Sequence, residues 1–217
     1  MTSRPFVLFD MDGTLLDTRR DIARAANAAR LELGLPTMTL EEVIMAVGDG
    51  VDLFVSRVTF PQSDSRFSAA RRVFLRHYES NVLGETVPYD GILPLLNEMA
   101  RMDIPMAIVS NKPAKLVDIL VRHFKWESFF KAWLGGDSAP EAKPSHLPLF
   151  MARKQAGLAD DHPIVMVGDG SQDILAAKAA GCEAVWCSWG FNANPISDYP
   201  VRKIDHPREL LLTITKP

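Results

Sequence analysis

Four aspartates stand in two close pairs in this chain, Asp10 and Asp12 in FDMDG and Asp169 and Asp173 in GDGSQD. Carboxylates brought together repel and raise one another's pKa unless a cation neutralises them. A hard divalent ion held by few carboxylates, with waters and a phosphate oxygen completing its shell, suits Mg2+. Ser110, Asn111 and Lys112 in VSNKP, and Lys143 in AKP, add a hydroxyl and one or two ammonium groups. With the N–H groups of nearby glycines, these suit the remaining phosphate oxygens. The chemistry indicated is Mg2+-dependent phosphoryl transfer. Taken singly, each residue has an ordinary structural reading. An aspartate after a strand is commonly a turn former or cap, and Ser110 can satisfy a strand end. Lys143 can be a solvated lysine before Pro144. Asp173 can be a helix N-terminal charge on a helix closed by Gly181. The single readings leave unexplained why all the candidates fall at one edge of one sheet.

That edge follows from the apolar pattern. Runs at 5–10 (PFVLFD), 104–111 (IPMAIVSN), 130–136 (FKAWLGG), 163–169 (PIVMVGD) and 183–188 (EAVWCS) are short, nearly continuous and end in polar or glycine-containing turns. They read as strands buried on both faces of a parallel sheet. Helical patterns lie between them at 91–101, 113–123, 147–156 and 173–180. The alternation predicts an α/β fold, a doubly wound parallel (Rossmann-like) sheet with right-handed crossovers. Ligands in such sheets bind outside the carboxyl ends of the strands, where the candidates stand.

Residues 17–83 break the alternation. Ile22, Ala25, Ala26, Ala29 and Leu33, and later Phe67, Ala70, Phe74 and Tyr78, recur at helical spacing. The expectation is an inserted all-helical cap domain at 17–83, with the core formed by 1–16 and 84–217. The tetrapeptide VGDG occurs at 47–50 in this insertion and at 167–170 after a core strand, contexts too different for a structural repeat.

The chain has 217 residues and a net charge of −3, which argues against a general nucleic-acid binder. No apolar run approaches the ~20 residues needed to cross a bilayer. Cys182 and Cys187 fit neither a zinc spacing nor a redox pair, and are expected to be buried free thiols on one strand. A cytoplasmic location is expected, and a monomer and a dimer both remain open.

FDMDGTLLDT resembles the first motif of the haloacid dehalogenase superfamily, D-x-D-G-T followed by Leu or Val. VSNKP resembles its second motif, AKP its third and VGDGSQD its fourth, in family order over nearly the whole chain. The resemblance implies that Asp10 is a nucleophile forming an aspartyl phosphate. It makes Asp12 the acid that protonates the leaving alcohol and then the base that activates water. It implies that Asp10, the Asp12 carbonyl and Asp169 hold Mg2+, with Asp173 a ligand through water or an orienting partner. Ser110 and Asn111 would bind phosphate oxygens and Lys143 would neutralise charge. Dehalogenases of this type lack an acid two residues after the nucleophile, so Asp12 points to phosphoryl chemistry. Two departures stand out. Gly170 replaces a common serine, with Ser171 beside it, and His146 stands where a second proline is common, either as a base or as a surface loop residue.

Within the insertion, VGDGVDLFVSRV resembles the cap segment of phosphoglycolate phosphatases, with Gly48, Gly50 and Arg57 at matching positions. SWGFN (188–192), AAKAAGC (176–182) and IDHPREL (204–210) are similar to the same group. The two glycines could expose N–H groups to an anion or form a plain turn. Arg57 could serve a substrate carboxylate or an ion pair, and Asp49 is expected to be incidental. The resemblance implies a phosphomonoesterase for 2-phosphoglycolate or a similar small carboxylated phosphate. The same scaffold acting on pyrophosphate, a nucleotide or a sugar phosphate is the nearest alternative. A phosphomutase and a non-catalytic phosphate-binding module are the others.

Overall fold

The computed structural model describes residues 4–191 and 201–214. Its contacts divide the chain into two compact units, Met1–Leu16 with Pro88–Pro217, and Asp17–Val87. In the first unit, β1 (Phe6–Phe9), β4 (Met106–Val109), β5 (Ala132–Leu134), β6 (Ile164–Gly168), β7 (Glu183–Cys187) and β8 (Arg202–Ile204) form one sheet in the order β5-β4-β1-β6-β7-β8. All five pairings are parallel. Every residue of β1, β4 and β6 is buried, so both faces of the central strands are covered.

On one face Phe6, Leu8, Ala107, Val109, Ile164 and Met166 pack with Leu149 and Ala152 of α7 (Leu147–Gln155) and Ala176 and Ala177 of α8 (Ser171–Ala180). The intervening strand residues face the other way, where Phe9 meets Phe130 edge-on at 6.3 Å. The helices α5 (Ile92–Arg101) and α6 (Ala114–His123) add their own buried stripes, Ile92, Leu95, Leu96 and Met99 and Leu116, Val117, Leu120 and Val121. The sheet is therefore the doubly wound α/β sheet that the apolar runs predict. It adds β8 at one edge and a short α9 (Glu209–Ile214) beyond it.

The second unit is helical, with α1 (Arg19–Glu32), α2 (Leu40–Ile44), α3 (Val51–Val58) and α4 (Phe67–Asn81). Ala25, Ala26 and Ala29 are buried on α1, and their small side chains let α4 pack against that face. Leu33 ends α1 as its C-cap and is half-buried, which shortens the expected stripe by one residue. Phe54, Phe74 and Tyr78 stack with centroid separations of 5.0 and 5.5 Å. The buried Asp21 carboxylate accepts N–H groups from Glu85 and Thr86, the Thr86 hydroxyl and an Arg24 guanidinium N–H. Through these bonds the unit holds the chain past Gly84 and runs to Val87. The chain passes between the units at β2 (Leu16–Asp17) and β3 (Val87–Pro88).

Cys187 is buried at the end of β7, whereas Cys182 lies just before that strand and is only half-buried, which corrects the expectation of two buried thiols on one strand. Asn192 of SWGFN lies outside the described residues. Among the described residues, no helix is long and apolar enough to cross a membrane.

Candidate active site

Strand order reverses at β1, so the loops after β1, β4 and β6 open at the crevice where doubly wound sheets bind ligands. Asp10 follows β1 directly and its N–H donates to the Val167 carbonyl, locking it to β6. Asp169 follows β6 directly, and Asp173 sits in the first turn of α8. Asp173 accepts the Gly170 N–H at 3.0 Å, the carboxylate half of an N-terminal cap. Gly13 has φ +79°, and a Cβ there would stand 2.4 Å from an Asp169 carboxylate oxygen. Glycine at 13 is what lets the loop after β1 press against the loop after β6. Gly168 does the same for Asp173, whose carboxylate carbon would lie 2.1 Å from an added Cβ.

Lys143 is buried and brings its ammonium to Asp173 at 2.6 Å, to the Val109 carbonyl at 2.6 Å and to Asp10 at 3.1 Å. Burial alone would lower its pKa, but the Asp10 and Asp173 carboxylates outweigh that and hold it above the ordinary lysine value. Lys112, also buried, contacts both Asp12 carboxylate oxygens at 2.8 and 3.0 Å. Asp169 accepts the Phe191 N–H at 2.7 Å and lies 3.4 Å from the Thr14 hydroxyl, while its carbonyl accepts the Trp186 indole N–H at 3.1 Å. Burial, followed by repulsion from Asp10 and Asp173, pushes Asp169 up to about 8. Burial also raises Asp173, against the pull of Lys143.

One carboxylate oxygen from each of Asp10, Asp169 and Asp173 lies within 4.8 Å of the others. The Asp10 Oδ1 atom is buried without a hydrogen-bond partner, its nearest cation being Lys143. An all-oxygen donor set with one buried oxygen unsatisfied, and with a carboxylate pushed toward protonation by its neighbours, fits a hard divalent cation. Both Asp173 oxygens are engaged, one with Lys143 and one with the Gly170 N–H.

A test follows from Asp169. Its folded-state pKa lies above the unfolded value, so its contribution to stability is fully present below about 4 and is lost as pH rises through about 8. Without metal, the melting temperature is expected to fall by on the order of 10 °C between pH 5 and pH 8. Added Mg2+ should reverse the loss at pH 8 and do little at pH 5. Thermal melts in chelator and in Mg2+ measure both.

The structure brings Asp10, Asp12, Ser110, Lys143, Asp169 and Asp173 to the carboxyl ends of β1, β4 and β6. The Asn111 side chain has a structural duty in the lysine loop. The Asn111 carboxamide donates to the Lys143 carbonyl at 2.8 Å and accepts the Lys143 N–H at 3.0 Å, bracing the lysine loop. His146 is the N-cap of α7, half-buried, with its ring against Phe150 at 5.1 Å. Sequence reasoning gave no task to Thr14, Trp186 or the Phe191 N–H, and offered Lys112 only as a cation for phosphate oxygens. Lys112 had a signal, a lysine beside the Ser110–Asn111 pair.

In the helical unit, Gly48 and Gly50 take φ values of +128° and +87°, and Gly50 caps α3. Glycine is needed there for backbone conformation. Arg57 pairs with Asp49 at 2.5 Å and donates to the Ala46 carbonyl at 3.1 Å. Asp49 thus holds Arg57 against the turn, a structural contact that leaves its expected lack of a chemical role untouched.

A family model for haloacid dehalogenase-like hydrolases matches residues 7–187. Among curated relatives, the phosphoglycolate phosphatase of Chromobacterium violaceum is 35% identical over 193 residues, 85% of each chain. That of Photobacterium profundum is 36% identical over 200 residues, 88% of this chain and 87% of its own. Among solved structures, this chain is similar to a predicted phosphoglycolate phosphatase from Haemophilus somnus, with a TM-score of 0.87, 28% identity and full coverage of both chains.

Proposed function

The chain belongs to the haloacid dehalogenase-like hydrolase family and is a phosphatase of it, and from that footing we propose that it hydrolyses 2-phosphoglycolate through an aspartyl-phosphate intermediate. The observation that carries the mechanism is Asp10, its Oδ1 buried without a hydrogen bond and 3.1 Å from the Lys143 ammonium. A carboxylate oxygen so placed is shielded from water and faces a fixed cation, as an attacking nucleophile requires.

In the first half-reaction an Asp10 oxygen bonds to phosphorus as the ester P–O bond breaks. Asp12 gives its proton to the departing alkoxide. In the second half, Asp12 takes a proton from water, the hydroxide displaces the acyl oxygen of Asp10, and inorganic phosphate leaves with the aspartate restored. Lys143 offsets negative charge shared between Asp10 and the phosphoryl oxygens. Ser110 and the N–H groups of its loop serve those oxygens. The Asp10 carboxylate, the Asp12 carbonyl and Asp169 would hold Mg2+, with Asp173 orienting. Mg2+ would supply neutralisation of the phosphoryl charge.

The substrate reading rests on the relatives, each about one-third identical and bearing that activity in its name. Gly48, Gly50 and Arg57 are the residues proposed to read the glycolate end. The test is phosphate release with Mg2+ from 2-phosphoglycolate, pyrophosphate, a nucleoside monophosphate and a hexose phosphate. A kcat/KM for 2-phosphoglycolate at least about 10-fold above the rest, on the order of 1.4 kcal/mol in transition-state binding, is expected. No preference overturns the substrate, and hexose phosphate isomerisation with little phosphate release would make the enzyme a mutase.

The Asp49–Arg57 pair is half-exposed and so worth about 0–1 kcal/mol. Asp49→Ala is therefore expected to lower the melting temperature by less than about 4 °C while leaving turnover of p-nitrophenyl phosphate within about twofold.

A further inference from the structure

We propose that Lys112 is a positioning residue for Asp12, fixing the carboxyl group that gives a proton to the leaving group and then takes one from water. The inference rests on the phosphatase reading above and adds a residue to it. Lys112 lies in the loop after β4, and its main chain is anchored there. Its carbonyl accepts the Gly136 N–H at 2.8 Å, and its own N–H lies 3.4 Å from the Ser110 hydroxyl. From this anchor the side chain crosses to the loop after β1 and ends on both Asp12 oxygens at 2.8 and 3.0 Å. The lysine side chain is 1% exposed and that of Asp12 is 14% exposed. A buried ammonium is costly unless paired, and this one is spent on a carboxylate.

Among the described residues two lysines are buried, and they divide the acids between them. Lys143 takes Asp10 and Asp173, and Lys112 takes Asp12. Both precede a proline, so local sequence does not distinguish them. Contacts to both oxygens fix where the Asp12 carboxylate sits and how its plane is turned. Proton transfer needs that oxygen within hydrogen-bond reach of the leaving atom, and a displacement of about 1 Å costs on the order of 100-fold. A lysine working on the phosphoryl oxygens instead would matter equally for every leaving group.

The experiment compares 2-phosphoglycolate, whose alkoxide needs a proton to leave, with p-nitrophenyl phosphate, whose phenolate barely does. Lys112→Met is expected to lower kcat about 100-fold on the alkyl ester and less than about 10-fold on the aryl ester. In an Asp12→Asn background the same change should cost less than about twofold more, since the group it acts through is already gone. Equal losses on both esters, or a full further loss in the Asp12→Asn background, overturn the proposal while the phosphatase reading stands. A wild-type protein inactive on both esters overturns the two together. Retained aryl turnover reports that Lys112→Met is folded. If that variant does not fold, Lys112→Arg keeps the charge and changes the geometry. The same leaving-group-selective loss is expected of it, and a uniform loss overturns the proposal.

Discussion

Replacing Asp10 with asparagine is expected to lower turnover of any phosphomonoester by at least about 10^4-fold, because the attacking oxygen becomes an amide that cannot accept the phosphoryl group. The side chain keeps its size, so the loss is chemical. Asp10 is also one of the charges that raise Asp169. Removing it relieves repulsion in the metal-free site, while Lys143 keeps its 2.6 Å contact with Asp173. The variant should therefore melt within a few degrees of the parent in chelator, and Asp169 should ionise at a lower pH. Phosphate release in saturating Mg2+ and thermal melting in chelator are the two measurements. Turnover within about 10-fold of the parent would exclude covalent catalysis by Asp10.

Lys143→Met is expected to damage both stability and chemistry. The lysine is buried, and its ammonium answers Asp10, Asp173 and the Val109 carbonyl. Removing one partner from such a set leaves buried charge uncompensated, which costs about 3–5 kcal/mol, or about 10 °C in melting temperature. The pH dependence fixes the sign. Lysine with its pKa raised above the ordinary value gives stability throughout pH 5–8, lost only as pH climbs through that raised value. Without it, Asp173 and Asp169 rise further, so the folded variant binds protons more readily than its unfolded chain. The deficit should therefore shrink as pH falls from 8 to 5. Turnover should drop about 10^2–10^3-fold, the usual cost of removing one group opposite developing charge. A variant that melts like the parent at pH 8 would show that the three carboxylates need no internal cation.

The sheet was legible because β1, β4 and β6 are unbroken apolar runs, a pattern that burial on both faces demands. β8 was not, because Arg202 and Lys203 are exposed on an edge strand that buries only Ile204. The acids of the site could be read from their spacing and their place after strands. Their partners could not, because pairing is set by the fold. Lys112 and Lys143 share a local signature yet serve different aspartates. The Asn111 carboxamide pairs with the Lys143 main chain, 32 positions away, which no local pattern records. Asp49 and Arg57 show the same limit at short range. Two glycines with positive φ turn Asp49 back toward the helix that carries Arg57, and no periodic pattern records such a fold-back.

The place of β1 in the sheet bears on how the molecule comes into being on the ribosome. The first strand made becomes an interior strand, with β4 on one side and β6 on the other. Thr14 and the Asp169 it meets are 155 positions apart, which at cellular elongation rates is roughly 10–30 s of synthesis. Through that interval the growing chain carries Phe6–Phe9 with at least one edge unpaired, and Asp10 has no partner from the loop after β6. A helical unit with its own contacts can settle meanwhile, since all its residues precede β4. The phosphatase is thus among the last features of its own chain to exist, and a phosphate ester that meets it half-made finds an aspartate without an active site.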